Sequence, residues 1–215
     1  MVGLLITVEG VEGSGKTTQC RLLAAWLRRR GHRVRETSEP DGSPIGAAVR
    51  ELFERDELAL TPLTEAFLFV ASRQEHVAKV IRPALEAGEI VISDRYADAT
   101  LAYQGYGGGL DLQTIRELNG LATGGIGPDL TLVLDLEPTL GLQRTRGRAP
   151  DLFRRDEGHD LGFFARVRQG YLELAREDKD RILVLDAARP EKEIQAEIQK
   201  LVGDLLKQRG LARGV

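Results

Sequence analysis

Short apolar runs alternate with amphipathic stretches along the chain. Most of the runs are continuously apolar, a pattern that is typical of parallel strands covered on both faces. The stretches between them repeat apolar residues at helical spacing. This alternation predicts an α/β fold in which a five-stranded parallel sheet, joined by right-handed crossovers, carries helices on both faces. The predicted strands are Leu4–Val8, Arg33–Thr37, Ile90–Ser93, Leu130–Leu136 and Ile182–Leu185.

Three amphipathic segments give the clearest helix predictions. The first spans Lys16–Arg30, and a glycine follows it as a stop signal. The longest spans Pro62–Ala87, with Thr61 as the expected N-cap and a proline at the first helical position. Pro83 interrupts its apolar series, so we expect a kink or break just before that residue. A last helix runs through Ile194–Leu206.

Length and composition bound the class of protein. A chain of 215 residues suits one domain, taken as residues 1–215, and is short for two. The net charge of -3 gives no general attraction to nucleic acid or to an anionic membrane. No apolar run approaches the ~18 residues of a membrane span. Cys20 is the only cysteine and the first residues lack the basic flank of a signal peptide, so we expect a reducing, cytoplasmic location.

A phosphate-binding signature follows the first predicted strand. The segment Gly10–Thr17 fits the P-loop pattern G-x-x-x-x-G-K-[ST], between a strand and a helix. Its glycines let backbone N–H groups point at phosphate oxygens, and the next helix directs its positive end there. Lys16 offers a charge for the β- and γ-phosphates, and Thr17 offers a hydroxyl for Mg²⁺. The ATP-binding residues predicted in this loop are Gly10, Glu12, Gly13, Ser14, Gly15, Lys16, Thr17 and Thr18.

The P-loop predicts the class of protein but not the reaction. The guanine-specific string N-K-x-D is absent, and a chain of this length leaves no room for a motor domain. Asp94 and Arg95 follow the third predicted strand, at the sheet edge where open α/β sheets bind ligands. Asp94 is a candidate for orienting Mg²⁺, and Arg95 for gripping an acceptor phosphate. Asp135 ends the next apolar strand, so periodicity leaves open which carboxylate serves the metal.

Several short segments, specific in their order and spacing, extend this picture over nearly the whole chain. They are Val8–Thr18, Glu39–Gly42, Phe69–Arg73, Asp94–Tyr96, Leu101–Gly105, Pro128–Thr131 and Arg168–Ala175. In this combination the chain resembles the bacterial thymidylate kinases. The resemblance implies a P-loop NTPase fold and ATP-dependent phosphorylation of dTMP to dTDP, with Mg²⁺ as the companion of ATP. It also implies a homodimer, for which the long helix offers a plausible contact.

The same resemblance implies the residues of an acceptor site. Phe69 matches an aromatic ring that stacks on thymine, and Arg73, one helical turn later, could donate to a base carbonyl. Thr100 matches a residue that reads the pyrimidine edge, and Tyr103 matches a ring that excludes a 2′-hydroxyl from the sugar pocket. Glu12 matches an acidic residue near the acceptor sugar and phosphate, where a carboxylate needs a partner. The dTMP-binding residues implied are Glu12, Phe69, Arg73, Arg95, Thr100, Tyr103 and Gln104.

The family carries its key arginine either in the P-loop or in a lid over ATP. Gly13 and Ser14 are uncharged, so the resemblance implies that a mobile lid, at about residues 144–160, supplies the arginine. Arg155 aligns best with the lid pattern of the family, while the choice among the lid arginines stays open. The catalytic residues implied are Lys16, Asp94, Arg95, Arg148 and Arg155, and Arg144 is assigned to ATP.

The sequence departs from the family pattern in two places near the acceptor site. Ser38 and Asp41 stand where the family often has arginine and glycine, and Ala99 stands where a serine is common. These changes alter how the loop after the second strand and the turn before Thr100 meet the acceptor.

Two rival functions are a kinase for another nucleotide or deoxynucleotide, and a P-loop switch that binds nucleotide without an acceptor. Acceptor-dependent ATP consumption distinguishes an enzyme from a switch.

Overall fold

The computed structural model describes residues 3–55, 58, 60–145 and 161–212. The lid candidates Arg148 and Arg155, with Arg146 and Arg154, lie outside the described residues. Arg144, the first residue of the predicted lid, is described.

The described elements alternate between strands and helices. The strands are β1 (Leu4–Glu9), β2 (Val34–Ser38), β3 (Ile90–Asp94), β4 (Leu130–Asp135) and β5 (Ile182–Asp186). The helices are α1 (Lys16–Arg29), α2 (Pro44–Phe53), α3 (Pro62–His76), α4 (Arg82–Glu86), α5 (Ala97–Thr100), α6 (Leu112–Thr123), α7 (Pro138–Arg144), α8 (Leu161–Glu177) and α9 (Glu191–Gln208). Two π-helical segments, Val77–Ile81 and Leu101–Gly107, continue α3 and α5.

All five strands form one parallel sheet, as the sequence predicts. Their order is β2-β3-β1-β4-β5, so β1 is the central strand, with β3 on one side and β4 on the other. The carboxyl ends of these three strands therefore lie side by side. Val8 of β1 is in register with Asp94 of β3, and Glu9 with Val133 of β4. The P-loop and the Asp94-Arg95 turn meet at this edge of the sheet.

Helices cover the sheet on both faces, which confirms the predicted architecture. Leu4, Ile6 and Val8 of β1 pack in the larger core with α1 and α9. Leu5 packs in a second core that includes Ile81 of the long helix. Successive side chains of a strand point to opposite faces, so these two cores lie on opposite sides of β1. No helix in the described ranges is both long and apolar enough to cross a membrane.

The long helix is irregular next to Pro83. Thr61 caps α3 by accepting from the backbone N–H of Thr64, as predicted. The irregularity is the π-helical turn Val77–Ile81, which ends two residues before Pro83. Pro83 has no N–H to donate to the preceding turn, and a widened turn accommodates its ring. The sequence therefore locates this irregularity correctly but not its form.

In the first half of α3, part of the apolar series does not face the core. Leu63 and Phe67 belong to the apolar series of the sequence, yet they are 43% and 52% exposed. The buried side of α3 carries Ala66 and Phe69 and, further along, Arg73 and His76. The two polar residues are buried there because this side of α3 faces the loop that follows β2 and exchanges polar contacts with it.

Candidate active site

Glycines shape the loop between β1 and α1. Gly10, Gly13 and Gly15 have φ values of 138°, 71° and 95°, a region that favours glycine. Close packing adds a second requirement at two of them. A Cβ on Gly10 would lie 2.5 Å from the carbonyl oxygen of Leu134, and a Cβ on Gly13 would lie 2.3 Å from that of Gly141. The loop thus approaches β4 and α7 more closely than any side chain would allow.

Polar groups of this loop line its concave side. The ammonium of Lys16, which is mostly buried, donates to the carbonyl oxygen of Val11 at 3.0 Å. The buried hydroxyl of Ser14 has no hydrogen-bond partner among the described residues. Arg144 reaches the rim of the loop from the end of α7, where it donates to the carbonyl oxygen of Ala187 at 3.0 Å. Its guanidinium also lies 3.5 Å from the carbonyl oxygen of Gly13.

The two rival carboxylates have different hydrogen-bond partners. The hydroxyl of Thr17 donates to Asp94 at 2.5 Å, so two oxygen ligands of the kind that Mg²⁺ prefers lie together. Asp135 instead accepts two hydrogen bonds from Arg168 of α8, at 2.6 and 3.0 Å. Within the described ranges no cluster of three His, Cys, Asp or Glu side chains could hold a metal alone. A magnesium ion at Thr17 and Asp94 would therefore depend on phosphate oxygens, as it commonly does with nucleotides.

Arg95 adopts an uncommon backbone conformation at the end of β3. Its φ of 71° is the only left-handed value of a non-glycine residue in the described part of the chain. Hydrogen bonds on both sides hold the turn. The N–H of Arg95 donates to Val8 at 3.1 Å, and the hydroxyl of Ser93 donates to the carbonyl oxygen of Arg95 at 2.7 Å. Strained residues of this kind concentrate at functional sites.

The turn directs the Arg95 guanidinium toward the P-loop. One amino group donates to Glu12 at 3.0 Å, and the other lies 3.4 Å from the carbonyl oxygen of Gly10. The guanidinium also lies 4.9 Å from the ring centroid of Tyr103, whose hydroxyl donates to the same Glu12 oxygen at 2.9 Å. The other carboxylate oxygen of Glu12 is buried and has no partner among the described residues. Glu12 thus has the arginine partner that its position in the P-loop requires.

A small cleft opens beside this cluster and brings most of the predicted acceptor residues together. The free space within it and at its open mouth is about 270 Å³. Its lining combines one aromatic ring, two arginines and three side chains with hydrogen-bonding oxygens. The lining residues are Glu39, Phe69, Arg73, Arg95, Ala99, Thr100 and Gln104. Five of the seven predicted dTMP-binding residues are among them, and the other two, Glu12 and Tyr103, contact Arg95 directly.

Phe69 and Gln104 have different surroundings within the cleft. Phe53 of α2 stacks on Phe69, with ring centroids 4.7 Å apart, so the phenylalanine is both a core residue and a wall of the cleft. Gln104 donates through its amide nitrogen to Glu65 at 3.2 Å. Its buried amide oxygen has no partner among the described residues. The cleft therefore offers an apolar ring and an unused hydrogen-bond acceptor.

Arg73 is held more firmly than the sequence suggests. Its side chain is 1% exposed, and all five of its N–H donors point at protein acceptors within 3.0 Å. Two hydrogen bonds go to Glu39, and one each to Thr100, Asn119 and the carbonyl oxygen of Tyr96. Donation from Arg73 to a base carbonyl stays a prediction, and it requires Arg73 to exchange one of these acceptors for the base.

Of the side chains that bind Arg73, sequence reasoning singled out Thr100 but assigned no role to Glu39 or Asn119. Glu39 accepts from Arg73 at 2.6 and 2.9 Å, and its other oxygen lies 3.3 Å from Nδ1 of His76. Nε2 of His76 lies 2.6 Å from the hydroxyl of Thr37. A Cβ on Gly42 would lie 2.2 Å from the His76 ring, so the loop after β2 needs glycine at that position. The segment Glu39–Gly42 was the only available signal of this network.

The departure at Asp41 also has a partner. Its carboxylate accepts from Nε of Arg50 on α2 at 2.6 Å, in a pair whose side chains are about a third exposed. The aspartate therefore pairs with a cation beside the loop after β2 rather than facing an acceptor phosphate unpaired.

The chain is similar to known proteins both in sequence and in structure. A family model described as thymidylate kinase matches residues 8–198. The thymidylate kinase of Deinococcus radiodurans is 52% identical over 203 residues, covering 94% of this chain and 97% of that protein. That of Maridesulfovibrio salexigens is 46% identical over 210 residues, covering 95% and 97%. A crystal structure of thymidylate kinase from Ehrlichia chaffeensis has a TM-score of 0.76 at 34% identity, covering 94% of this chain and 99% of that one.

Proposed function

The chain belongs to the thymidylate kinase family, and on that premise we propose that it transfers the γ-phosphoryl group of ATP to the phosphate of dTMP, giving ADP and dTDP. One observation carries the proposal beyond a general P-loop function. A cleft with an aromatic wall and hydrogen-bonding edges lies directly beside the P-loop, and Arg95 faces both. A switch that binds nucleotide alone has no use for such a second site.

On the donor side, the loop Gly10–Thr18 holds the phosphates of ATP. Backbone N–H groups and the Lys16 ammonium bind the phosphate oxygens, and Arg144 stands at the rim beside Gly13. Thr17 and Asp94 would hold Mg²⁺ together with phosphate oxygens, and the ion supplies neutralising charge when bound. The role of the protein in this transfer is mainly positioning and charge stabilisation.

On the acceptor side, the free hydrogen-bonding groups match those of dTMP. The sugar hydroxyl and the ring N–H of thymine are donors, and the buried oxygens of Glu12 and Gln104 are acceptors without partners in the described structure. The Thr100 hydroxyl accepts from Arg73 and therefore retains its own proton for a base carbonyl. Phe69 supplies a flat apolar surface for the base. Arg95 exchanges its contacts with the P-loop for the acceptor phosphate.

Tyr103 completes the sugar pocket in this proposal. Its ring is fully buried and its hydroxyl is fixed by Glu12 at 2.9 Å. A buried ring held in this way leaves little freedom to accommodate one more oxygen on the sugar. The preference for deoxyribose therefore follows from the rigidity of the ring as well as from its size.

The predicted lid supplies the remaining charge in this proposal. We assign Arg155 to the transferring phosphoryl group, with Arg148 as the second candidate. Neither Gly13 nor Ser14 can stabilise charge there with a side chain cation. An arginine that meets the transition state is worth roughly 10³–10⁵ in rate. Replacing Arg155 with alanine should therefore lower kcat far more than it changes the dTMP dissociation constant.

A homodimer is the assembly that we propose. Leu63 and Phe67 lie one helical turn apart on α3 and are both about half exposed, which gives this helix an apolar outer face. We expect sedimentation to give the mass of two chains, and Phe67→Glu to shift it toward one. A dimer that survives this change would place the interface elsewhere.

A cytoplasmic location is proposed because the sole cysteine, Cys20, is a free, buried thiol.

The proposed reaction is tested by measuring ADP release from ATP with a panel of nucleoside monophosphates. We expect turnover to require an acceptor and to be fastest with dTMP. ATP hydrolysis of equal rate without any acceptor would support the switch. Faster turnover with another monophosphate would reassign the substrate and leave the kinase class standing.

A further inference from the structure

Glu9, the last residue of β1, is a buried carboxyl that the proposed reaction does not use. It is fully buried at the carboxyl end of the central strand, directly before the P-loop. Burial beside Asp98 raises the pKa of this carboxyl to about 8, although Arg95 and two hydrogen bonds oppose the rise. A carboxyl in such a position costs stability unless its hydrogen bonds repay the lost hydration.

The two oxygens of Glu9 bind two different parts of the acceptor site. Oε1 accepts from the backbone N–H of Tyr96 at 2.7 Å, which is the peptide group directly after Arg95. Oε2 accepts from the hydroxyl of Tyr171 on α8 at 2.8 Å. Glu9 therefore fixes the far side of the turn in which Arg95 has its left-handed conformation. Val8 and Ser93 hold only the near side and the carbonyl group of that turn.

Tyr171 connects this carboxyl to the ring that lines the sugar pocket. The ring of Tyr171 meets that of Tyr103 edge to face, with centroids 6.3 Å apart. Tyr103 in turn donates to Glu12, and Arg95 donates to the same oxygen. A closed chain of buried contacts thus runs from Glu9 through Tyr171, Tyr103 and Glu12 to Arg95, and back to Glu9 through the peptide group of Tyr96.

We propose that Glu9 is a positioning residue for the acceptor site, acting by holding the Arg95-Tyr96 turn and the Tyr171 hydroxyl together. The inference rests on the proposed function, since it assigns Arg95 and Tyr103 to dTMP. Glu9 touches neither substrate in this account. Its effect reaches the reaction through the direction of the Arg95 guanidinium and the packing of the Tyr103 ring.

Shape, rather than charge, is what this role requires of residue 9. A glutamine has the same outline, and its oxygen can accept from the Tyr96 N–H while its amide donates to the Tyr171 oxygen. A leucine fills similar space but leaves that N–H and that hydroxyl without partners. Comparing Glu9→Gln with Glu9→Leu therefore separates the two hydrogen bonds from the bulk of the side chain.

Thr7→Val is the matched control. Thr7 lies two residues earlier on the same strand and face, is fully buried, and shares a 2.8 Å hydrogen bond with the hydroxyl of Thr131. Its replacement removes a buried hydrogen bond of β1 without touching the Arg95 turn. It should lower the melting temperature and leave the kinetic constants for dTMP unchanged.

The experiment measures kcat, the KM values for dTMP and ATP, and the melting temperature of each variant. We expect Glu9→Leu to lower kcat/KM for dTMP by about 10- to 100-fold, with a change in the ATP KM below about 3-fold. Glu9→Gln should stay within about 3-fold of the wild type, and Tyr171→Phe should lose about 3- to 10-fold. Tyr171→Phe keeps the test decisive if Glu9→Leu does not fold.

Three results would overturn the positioning role. The first is wild-type dTMP kinetics in Glu9→Leu or, if that variant is unfolded, in Tyr171→Phe. The second is an equal fall in kcat/KM for dTMP in Glu9→Gln and Glu9→Leu. The third is a fall in kcat/KM that is as large for ATP as for dTMP. A wild-type chain that does not phosphorylate dTMP would instead refute the proposed function. In that case direct binding of dTMP to the same variants still tests whether Glu9 shapes the cleft.

Discussion

The two halves of the candidate site are built by opposite means. The donor half is one continuous segment, Gly10–Thr18, in which three glycines with positive φ shape the backbone of the proposed phosphate site. The acceptor half gathers side chains from the loop after β2, from α3 and from the segments after β3, and it borrows only Glu12 from the P-loop. Its central arginine, Arg73, binds Glu39, Thr100 and Asn119, which lie 27 to 46 positions away along the chain.

This difference predicts how each half fails. A backbone cradle keeps its shape when one of its side chains is removed, so such a change should remove charge and little else. A network of side chains is more sensitive to substitution, because removing one member leaves the polar group of a buried partner without its hydrogen bond. Substitutions should therefore separate cleanly into effects on ATP and effects on dTMP.

The largest effect is expected on the donor half. Lys16→Ala removes the cation assigned to the β- and γ-phosphates and should lower kcat by at least about 10³-fold. The cradle is formed by backbone, so the dissociation constant for dTMP should stay within about 3-fold of the wild type. Lys79→Ala, at an exposed position of the long helix, is the control. Titration calorimetry with dTMP measures this dissociation constant. Weaker dTMP binding in Lys16→Ala would show that the donor and acceptor halves are not independent.

On the acceptor half, Arg95→Ala should be nearly as severe. It removes the cation assigned to the acceptor phosphate and leaves the buried Glu12 carboxylate without its arginine partner. We therefore expect kcat/KM for dTMP to fall by about 10²–10³-fold. Binding of an ATP analogue should be unchanged. Arg116→Ala, which breaks an exposed ion pair with Glu177, is the matched control. An Arg95→Ala variant with wild-type dTMP kinetics would remove the assigned role.

A smaller effect is expected for sugar selection. Tyr103→Ala opens space at a fully buried ring, so discrimination against a ribonucleotide acceptor should relax by about 10-fold or more. The measurement is the ratio of kcat/KM for dTMP to that for its ribose counterpart, which differs only in the 2′-hydroxyl. Tyr103→Phe keeps the ring and should keep most of the ratio. An unchanged ratio in Tyr103→Ala would refute the steric account.

The last prediction concerns stability and its dependence on pH rather than the kinetics. Burial, aided by Asp98, raises the pKa of Glu9 from 4.5 to about 8, against the opposing effects of Arg95 and the hydrogen bonds from Tyr171 and the Tyr96 N–H. Between these values the folded chain holds a proton that the unfolded chain releases, so stability falls as pH rises. Relative to Glu9→Gln, the wild type should lose up to about 1.4 kcal/mol per pH unit from pH 5 to 8. Urea unfolding of both chains checks this, and parallel pH profiles would contradict it.

The sequence predicts the sheet well because strand signals are local. All five strands begin and end within one residue of their predicted bounds. The P-loop is a contiguous motif, so its geometry could also be anticipated. Leu63 and Phe67 show the limit of periodicity, since an apolar series does not say whether it faces the core or the outside of the molecule.

The acceptor half could be predicted only as a set of residues. Arg73 fits the helical pattern equally well as a solvated arginine, yet it is 1% exposed and fully hydrogen-bonded. Its partners lie on other elements, and no local pattern specifies which side chains meet after folding. Glu9 was missed for a related reason. At the end of an apolar strand it differs from its neighbours only in charge, and its partners Tyr96 and Tyr171 are 87 and 162 positions away.

The structure of the chain with dTMP bound is the most direct test of the central claim, which places the acceptor in the cleft beside Arg95. The account predicts the thymine ring against Phe69, with the Glu12 and Gln104 oxygens within hydrogen-bond distance of the ligand. It also predicts that the Arg95 guanidinium contacts the dTMP phosphate. A dTMP molecule bound away from this cleft, or a phosphate that Arg95 does not touch, would contradict the account.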